Sequence, residues 1–248
     1  MSKLFQTARE NLSFLGVCVI IVVSVFAVAY FIQKLLLKEN VKKVSNARYI
    51  AYIGMFSAVS GVLMTLELPL FFAPNFYKLD FSEIPVLICG FYLGPVAGVV
   101  SEFLKIVVKL LIKGTSTAFV GDFANFCVGC ALILPATIIY HIKKTKKTAV
   151  IAMASGTAVM TVFGSYLNAV YMLPTFSALF GIPLDVIIGM GTAVNSSINS
   201  VSTLVLFAVV PFNLLKGIVV SLMTYLLYKR IESVLFRQPK NRSARQSL

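Results

Sequence analysis

The densest polar pattern in an otherwise apolar chain is Pro211-Phe212-Asn213-Leu214-Leu215-Lys216-Gly217. Asn213 and Lys216 stand three residues apart, so on a helix they share a face. Lys216 sits about half a helix from either end of its apolar segment, too deep to reach water easily. An Asn amide supplies donors and an acceptor, and a Lys ammonium supplies donors. Together they suit the edge of a planar ligand that carries carbonyls and an N–H. The other reading is a Lys paired with a carboxylate elsewhere in the fold. Asn168 and Tyr171 share a face in the same way, and Asn125 follows Gly121-Asp122-Phe123-Ala124. An Asn inside a span also serves as a hydrogen-bonding link between helices. Glu102, Lys105 and Lys109 follow i, i+3, i+7 spacing, and a Glu placed before a Lys neutralises locally, which is a structural role.

Other chemistries lack their residues. No G-x-x-x-x-G-K-[ST] is present, so ATP hydrolysis through a P-loop is not expected. The single histidine, His141, has no metal-ligand cluster around it in sequence, and there is no G-x-S-x-G elbow. No catalytic residue, metal site or cofactor is expected. Cys127-x-x-Cys130 would suggest redox work in a cytosolic α/β protein. Inside an apolar run, burial makes such thiols inert packing residues, and Cys18 and Cys89 also lie in apolar stretches. Asn195-Ser196-Ser197 fits a glycosylation sequon, a three-residue pattern that chance often produces.

The elements that position these groups are long and apolar. The 248 residues are 58% hydrophobic and 12% charged, with mean hydropathy +0.91. Soluble domains are about half apolar and a quarter charged, so this chain needs a bilayer as solvent. At roughly 20 residues per span, it holds six or seven helices and no separate catalytic domain. Apolar runs cover residues 13–37, 47–68, 83–93, 96–112, 119–141, 149–173 and 201–228. The first is too long for a signal-peptide core and lacks a cleavage site. Gly94-Pro95 is a turn that separates the third run from the fourth. Residues 71–82 read as an aromatic-rich loop, 113–117 as a polar loop, Pro174 as a helix end and 175–200 as a longer loop.

The net charge of +13 is clustered. Lys38, Lys42, Lys43 and Arg48 form one group, Lys143, Lys144, Lys146 and Lys147 a second, and Lys229, Arg230, Arg237, Lys240, Arg242 and Arg245 a third. Seven crossings put all three on one side, the cytoplasmic one by the positive-inside rule, with the N-terminus outside. Phe236 is the one aromatic residue within the basic clusters, too few for the stacking a nucleic-acid binder needs. No inverted repeat of the secondary-transporter kind is evident. Gly54-x-x-x-Ala58 and Ser57-x-x-x-Gly61 place small residues in stripes that permit close helix approach. Packing inside the bundle and docking onto another membrane subunit both fit.

Lys78-Leu79-Asp80-Phe81-Ser82-Glu83-Ile84-Pro85 followed by Gly94-Pro95 resembles the first loop and second helix of the riboflavin-specific substrate-binding subunits of energy-coupling factor (ECF) transporters. Gly114-Thr115, Gly121 with Ala124-Asn125-Phe126, Asn168 with Pro174, and Pro211-Phe212-Asn213-x-x-Lys216-Gly217 recur in that family's order, over roughly residues 47–230. The resemblance implies an all-α, polytopic membrane helix bundle with a six-helix core, here over 41–230; to it the apolar and basic patterns add one extra N-terminal transmembrane helix over 1–40 and a basic cytoplasmic tail over 231–248, expected to be disordered. It implies a vitamin pocket near the outer surface. There Asn168, Asn213 and Lys216 hydrogen-bond an isoalloxazine edge, joined by Asp80, Thr115 and Asn125; Tyr171, on the face of Asn168, is a further candidate for the same site by its spacing. It also implies a membrane coupling subunit docked on Gly54 and Ala58, and two cytoplasmic ATPases as partners. Gly54 stands where the family often has Ala, and the extra helix departs from the family's pattern. Rival readings are the same scaffold specific for pantothenate or thiamine, a membrane-embedded enzyme, and a purely structural subunit.

Overall fold

A computed structural model describes residues 12–37, 40–41, 44–74 and 76–235. The cluster residues Lys38, Lys42, Lys43, Arg237, Lys240, Arg242 and Arg245 lie outside the described residues, as does the tail from 236 onward. The helices are α1 (Leu12–Leu36), α2 (Asn46–Thr65), α3 (Glu83–Leu93), α4 (Pro95–Lys113), α5 (Val120–Ile142), α6 (Lys146–Leu167), α7 (Leu173–Phe180), α8 (Leu184–Thr192), α9 (Val201–Leu204) and α10 (Val210–Leu235). The only strands among the described residues are β1 (Leu68–Pro69) and β2 (Lys78–Leu79), paired antiparallel as Leu68↔Leu79 and Pro69↔Lys78. The protein is an all-α membrane bundle in which α5 packs on α6, α2 on α4, α10 on α6, and α1 on α4 and α5.

Among the described residues, five helical segments are long and apolar enough to cross a membrane: Gly16–Leu36, Asn46–Thr65, Val120–Ile142, Lys146–Ala178 and Val201–Tyr228. Two further helices complete the expected set of seven but differ in kind. Every residue of α3 is buried. Its 11 residues rise only about 16 Å, about half the hydrocarbon thickness, so the chain before it must enter the bundle to reach its first turn. The other, α4, carries Glu102, Lys105 and Lys109 on its buried face, and such charges at membrane depth need partners.

Gly94 joins α3 to α4 with φ 105°, a backbone state open to glycine. Pro95 then starts α4 without a wasted N–H. The next free donor, the Val96 N–H, is capped from another helix by Gln33 Oε1 of α1 at 3.0 Å.

The sequence reading ends the sixth span at Pro174 and places a loop over 175–200. Both expectations are corrected. The helix continues through Pro174 to Phe180 and stops at Gly181, φ 61°, and α8 occupies much of the supposed loop. A π-turn over Asn168–Met172 precedes the proline, with the Leu173 N–H reaching back five residues to Asn168 O. Proline removes one helical N–H and crowds the carbonyl four residues back; a widened preceding turn relieves that crowding. The same device precedes Pro211, where a π-turn over Val205–Val209 has the Val210 N–H bonded to Val205 O. Helix α10 also runs past the expected end at Tyr228 to Leu235, and α2 stops at Thr65, short of Leu68.

Candidate ligand cavity and buried charge network

One end of the bundle encloses a cavity of about 440 Å³, within the range of small-molecule sites. Its walls come from the 66–82 segment, α4, α5, the 168–190 segment and α10. The two π-turns place Asn168 and the Pro211 segment there: Asn168 opens the first, and Asn213 follows the second by one helical turn.

Of the residues singled out in the sequence, Asn168, Asn213, Lys216, Asp80 and Asn125 line this cavity. Asn213 is 5% exposed, and its Nδ2 is buried with no hydrogen-bond partner among the described residues. Gly164 makes room for that amide, since a Cβ there would stand 3.0 Å from Nδ2. Asn168 Oδ1 accepts from the Tyr77 hydroxyl at 2.6 Å, so the 66–82 segment is tied down onto the cavity wall. Asn125 Nδ2 donates to Gly121 O one turn back at 3.0 Å.

Thr115 and Tyr171 are not brought to the cavity lining. Thr115 Oγ1 accepts from the Thr117 and Phe119 N–H groups at 3.3 and 3.0 Å. It thereby holds a turn in which Ala118 and Phe119 take positive φ of 47° and 69°, a strained state for non-glycine residues. Tyr171 packs edge-on against Phe123.

The alternative for Lys216, pairing with a carboxylate elsewhere, is realised. Its Nζ lies 3.0 Å from Asp80 Oδ2 and 3.8 Å from Glu83 Oε1. Asp80 is fixed in turn by the Ser82 N–H at 2.9 Å and the Ser82 hydroxyl, and Ser60 of α2 donates to Ser82 O. Burial raises the Asp80 carboxyl, but Lys216 and Lys105 outweigh it and hold the group below the usual aspartate range. The ion pairing continues inward, from Glu83 to Lys105 at 2.8 Å and from Lys105 to Glu102 at 2.6 Å. The i, i+3 contact of Glu102 with Lys105 expected from the spacing is therefore present, within a wider run that shares Lys105 with Glu83.

A second charged group edges the cavity. Lys109 Nζ meets Asp122 Oδ1 at 2.5 Å and Gly114 O at 3.1 Å. Glu67 bridges Lys78 at 2.7 Å and Lys113 at 2.9 Å. Burial acts to raise the Glu67 carboxyl, and the hydrogen bonds from Lys113 and Lys78 overcome it and lower it. These partners were missed as site residues. Lys109 and Asp122 flank the 113–117 loop, a helix–loop–helix spacing that could have paired them; nothing local ties Glu67 to Lys113.

The charges in the lining balance: Glu67, Asp80 and Asp122 stand against Lys78, Lys109 and Lys216. Apart from Asn125, Asn168, Asn213, Ser116 and Thr117, the rest of the wall is mostly aromatic and aliphatic, including Phe76, Phe176, Phe212 and Ile187. A neutral, flat ligand with an apolar body and a few hydrogen-bonding edges suits such a hollow; a net charged one would have to bring its counterion. The two small-residue stripes of α2 separate cleanly. Ser57 and Gly61 face inward, with Ser57 bonded to Ser101 at 3.1 Å and Gly61 closed off by Val108 of α4. Gly54 and Ala58 face outward, and a Cβ at Gly54 would meet nothing. Cys18, Cys89, Cys127 and Cys130 are all buried and unbridged.

Comparison with known proteins agrees with this architecture. A family model for the substrate-specific component of ECF transporters matches residues 48–228, so α1 precedes the matched region. The riboflavin transporter RibU of Staphylococcus aureus is 33% identical over 77% of this chain and 94% of its own length. The riboflavin transporter FmnP of Bacillus subtilis is 30% identical over 75% of this chain and 93% of its own. A solved S component of a bacterial ECF transporter superposes with TM-score 0.61 at 33% identity, covering 78% of this chain and all of that one. The chain belongs to the family of substrate-specific components of ECF transporters, and is a transport subunit, not an enzyme.

Proposed function

We propose that this chain captures riboflavin at the outer face of the cell membrane and hands it inward when coupled to ATPase subunits. The observation that carries this reading is the charge-balanced, aromatic-walled cavity in which Asn213 keeps an unpartnered buried amide group. An unpaired buried donor costs about 1–3 kcal/mol, and a ligand carbonyl removes that cost. The names of the relatives support the same vitamin. Asn168, Asn213 and Lys216 are the residues assigned to the isoalloxazine edge, with Asp80 and Asn125 beside them. Thr115 acts by holding its loop, and Tyr171 packs on Phe123, outside the cavity lining.

The energy for import comes from elsewhere. The outward Gly54 and Ala58 stripe is the proposed seat of a membrane coupling subunit, which links this chain to two cytoplasmic ATPases. The cytoplasmic side is the one bearing the basic clusters, here represented by Lys143, Lys144, Lys146 and Lys147.

The test is a titration of purified full-length protein in detergent with riboflavin, followed by quenching of flavin fluorescence. Saturable quenching with one flavin per chain is expected, and unlabelled thiamine or pantothenate should not reverse it. A purified chain that leaves flavin fluorescence unchanged, or one whose flavin signal thiamine displaces, overturns the assignment.

A further inference from the structure

We infer that the bundle core binds one proton, on the carboxyl of Glu102. Asp80, Lys216, Glu83, Lys105 and Glu102 form a single run of ion pairs reaching from the cavity floor into the bundle. None of the five is more than 6% exposed. Three carboxylates meet two ammonium groups, so the run is one positive charge short. The other buried lysine, Lys109, is held by Asp122 and Gly114 O.

Among the described residues, no further cation pairs with Glu102 from the elements around it. From α2 comes Ser57, bonded to Ser101. From α5 come Gly129, whose Cβ would overlap the Glu102 carboxyl, and the buried thiols Cys127 and Cys130, neither of them a cation. From α3 comes the acid Glu83. The lysine of α1, Lys34, is exposed and lies over the Tyr30 ring.

The missing charge falls on Glu102 because the other two acids are better served. Asp80 accepts from the Ser82 N–H and hydroxyl and from Lys216. Glu83 stands in the first turn of α3, where the helix N-terminus favours an anion, and it approaches both lysines. Glu102 is mid-helix and fully enclosed. Its one cation, Lys105 at 2.6 Å from Oε1, is shared with Glu83, which accepts from the same Nζ at 2.8 Å. A buried carboxylate so placed takes up a proton instead of staying charged. The neutral acid leaves Lys105 to Glu83, which in turn leaves Lys216 to Asp80 at the cavity. An ionised Glu102 would compete for Lys105 and loosen the run up to the cavity floor.

The experiment compares the full-length chain with Glu102→Gln and Glu83→Gln in detergent at neutral pH. Difference infrared spectroscopy of wild type against Glu102→Gln is expected to show the carbonyl stretch of one protonated carboxyl, present in the wild type and missing in the variant. Gln is isosteric with the protonated acid, so Glu102→Gln is expected to keep the wild-type thermal midpoint and folded yield. Glu83→Gln, which removes the charge between two lysines, is expected to lower both. Absence of the infrared band, its persistence in Glu102→Gln, or a Glu102→Gln protein as destabilised or as poorly folded as Glu83→Gln overturns the proton assignment. None of these readouts uses a ligand, so the outcome is independent of which vitamin the cavity takes.

Discussion

Replacing Lys216 with Met removes the only ammonium within 4 Å of Asp80 among the described residues and leaves Glu83 with Lys105 alone. Removing one member of a buried ion pair costs about 3–5 kcal/mol, because the partner is left charged and dry. For a chain of 150–250 residues each kcal/mol moves the thermal midpoint by about 2–4 °C, so a fall of about 6–20 °C is expected for Lys216→Met. Asp80→Asn alone should also destabilise, since it frees Lys216. The double variant Asp80→Asn/Lys216→Met removes both charges, so no buried charge is left without its partner, which is the source of the single-variant cost. It is expected to recover more than half of the single-variant loss. Thermal unfolding in one detergent, followed by intrinsic fluorescence and by loss of the monodisperse gel-filtration peak, gives all four corners of the cycle. Wild-type midpoints in both single variants, or strictly additive losses in the double, would refute the pairing on which the cavity floor is built.

Three further outcomes are expected. Tyr77→Phe removes the 2.6 Å bond to Asn168, worth about 1 kcal/mol; stopped-flow fluorescence should show riboflavin leaving roughly fivefold faster, and an unchanged off-rate would mean that this bond does not hold the 66–82 segment over the cavity. Gly54→Leu fills an outward-facing gap that touches nothing within the chain, so it should leave flavin titration intact while abolishing co-purification with the coupling module; co-purification at wild-type levels would move the docking face elsewhere. Glu67, lowered by Lys113 and Lys78, contributes stability that is present above the ordinary glutamate value of about 4.3 and lost as pH falls through its lowered value in the folded chain. The difference in thermal midpoint between wild type and Glu67→Gln should therefore be constant from neutral pH down to about 4.3 and shrink below it, and a difference that shrinks already near neutral pH would contradict the bridge.

Much of the fold was legible because the bilayer forces it. Seven apolar runs, the Gly94-Pro95 turn and the polar loop at 113–117 gave helix positions close to those observed. The largest error fell at Pro174, read as a helix end. Pro174 and Pro211 each carry the signal of a break, yet both lie inside helices, because a π-turn before each absorbs the strain. Nothing in the local residue types distinguishes a proline that ends a helix from one accommodated by a widened turn. The site was half legible. Asn213 and Lys216 stand out because polar groups at membrane depth are rare, whereas Tyr77, Glu67 and Asp122 sit in segments where polar residues are ordinary.

Composition and the spacing of apolar and basic residues alone determined that this chain is a membrane bundle, and the one-turn spacing of Asn213 and Lys216 put both on one helix face. Only the tertiary structure decided what that face meets. Asp80 lies 136 positions from Lys216 in the chain, and Tyr77 lies 91 from Asn168. Helical periodicity relates residues a few positions apart, while the partner of a buried charge is chosen by how whole helices and the entering segment before α3 pack together. The protonation assigned to Glu102 follows from that packing as well, since a charge deficit exists only once five groups from three helices and a loop share one dry interior.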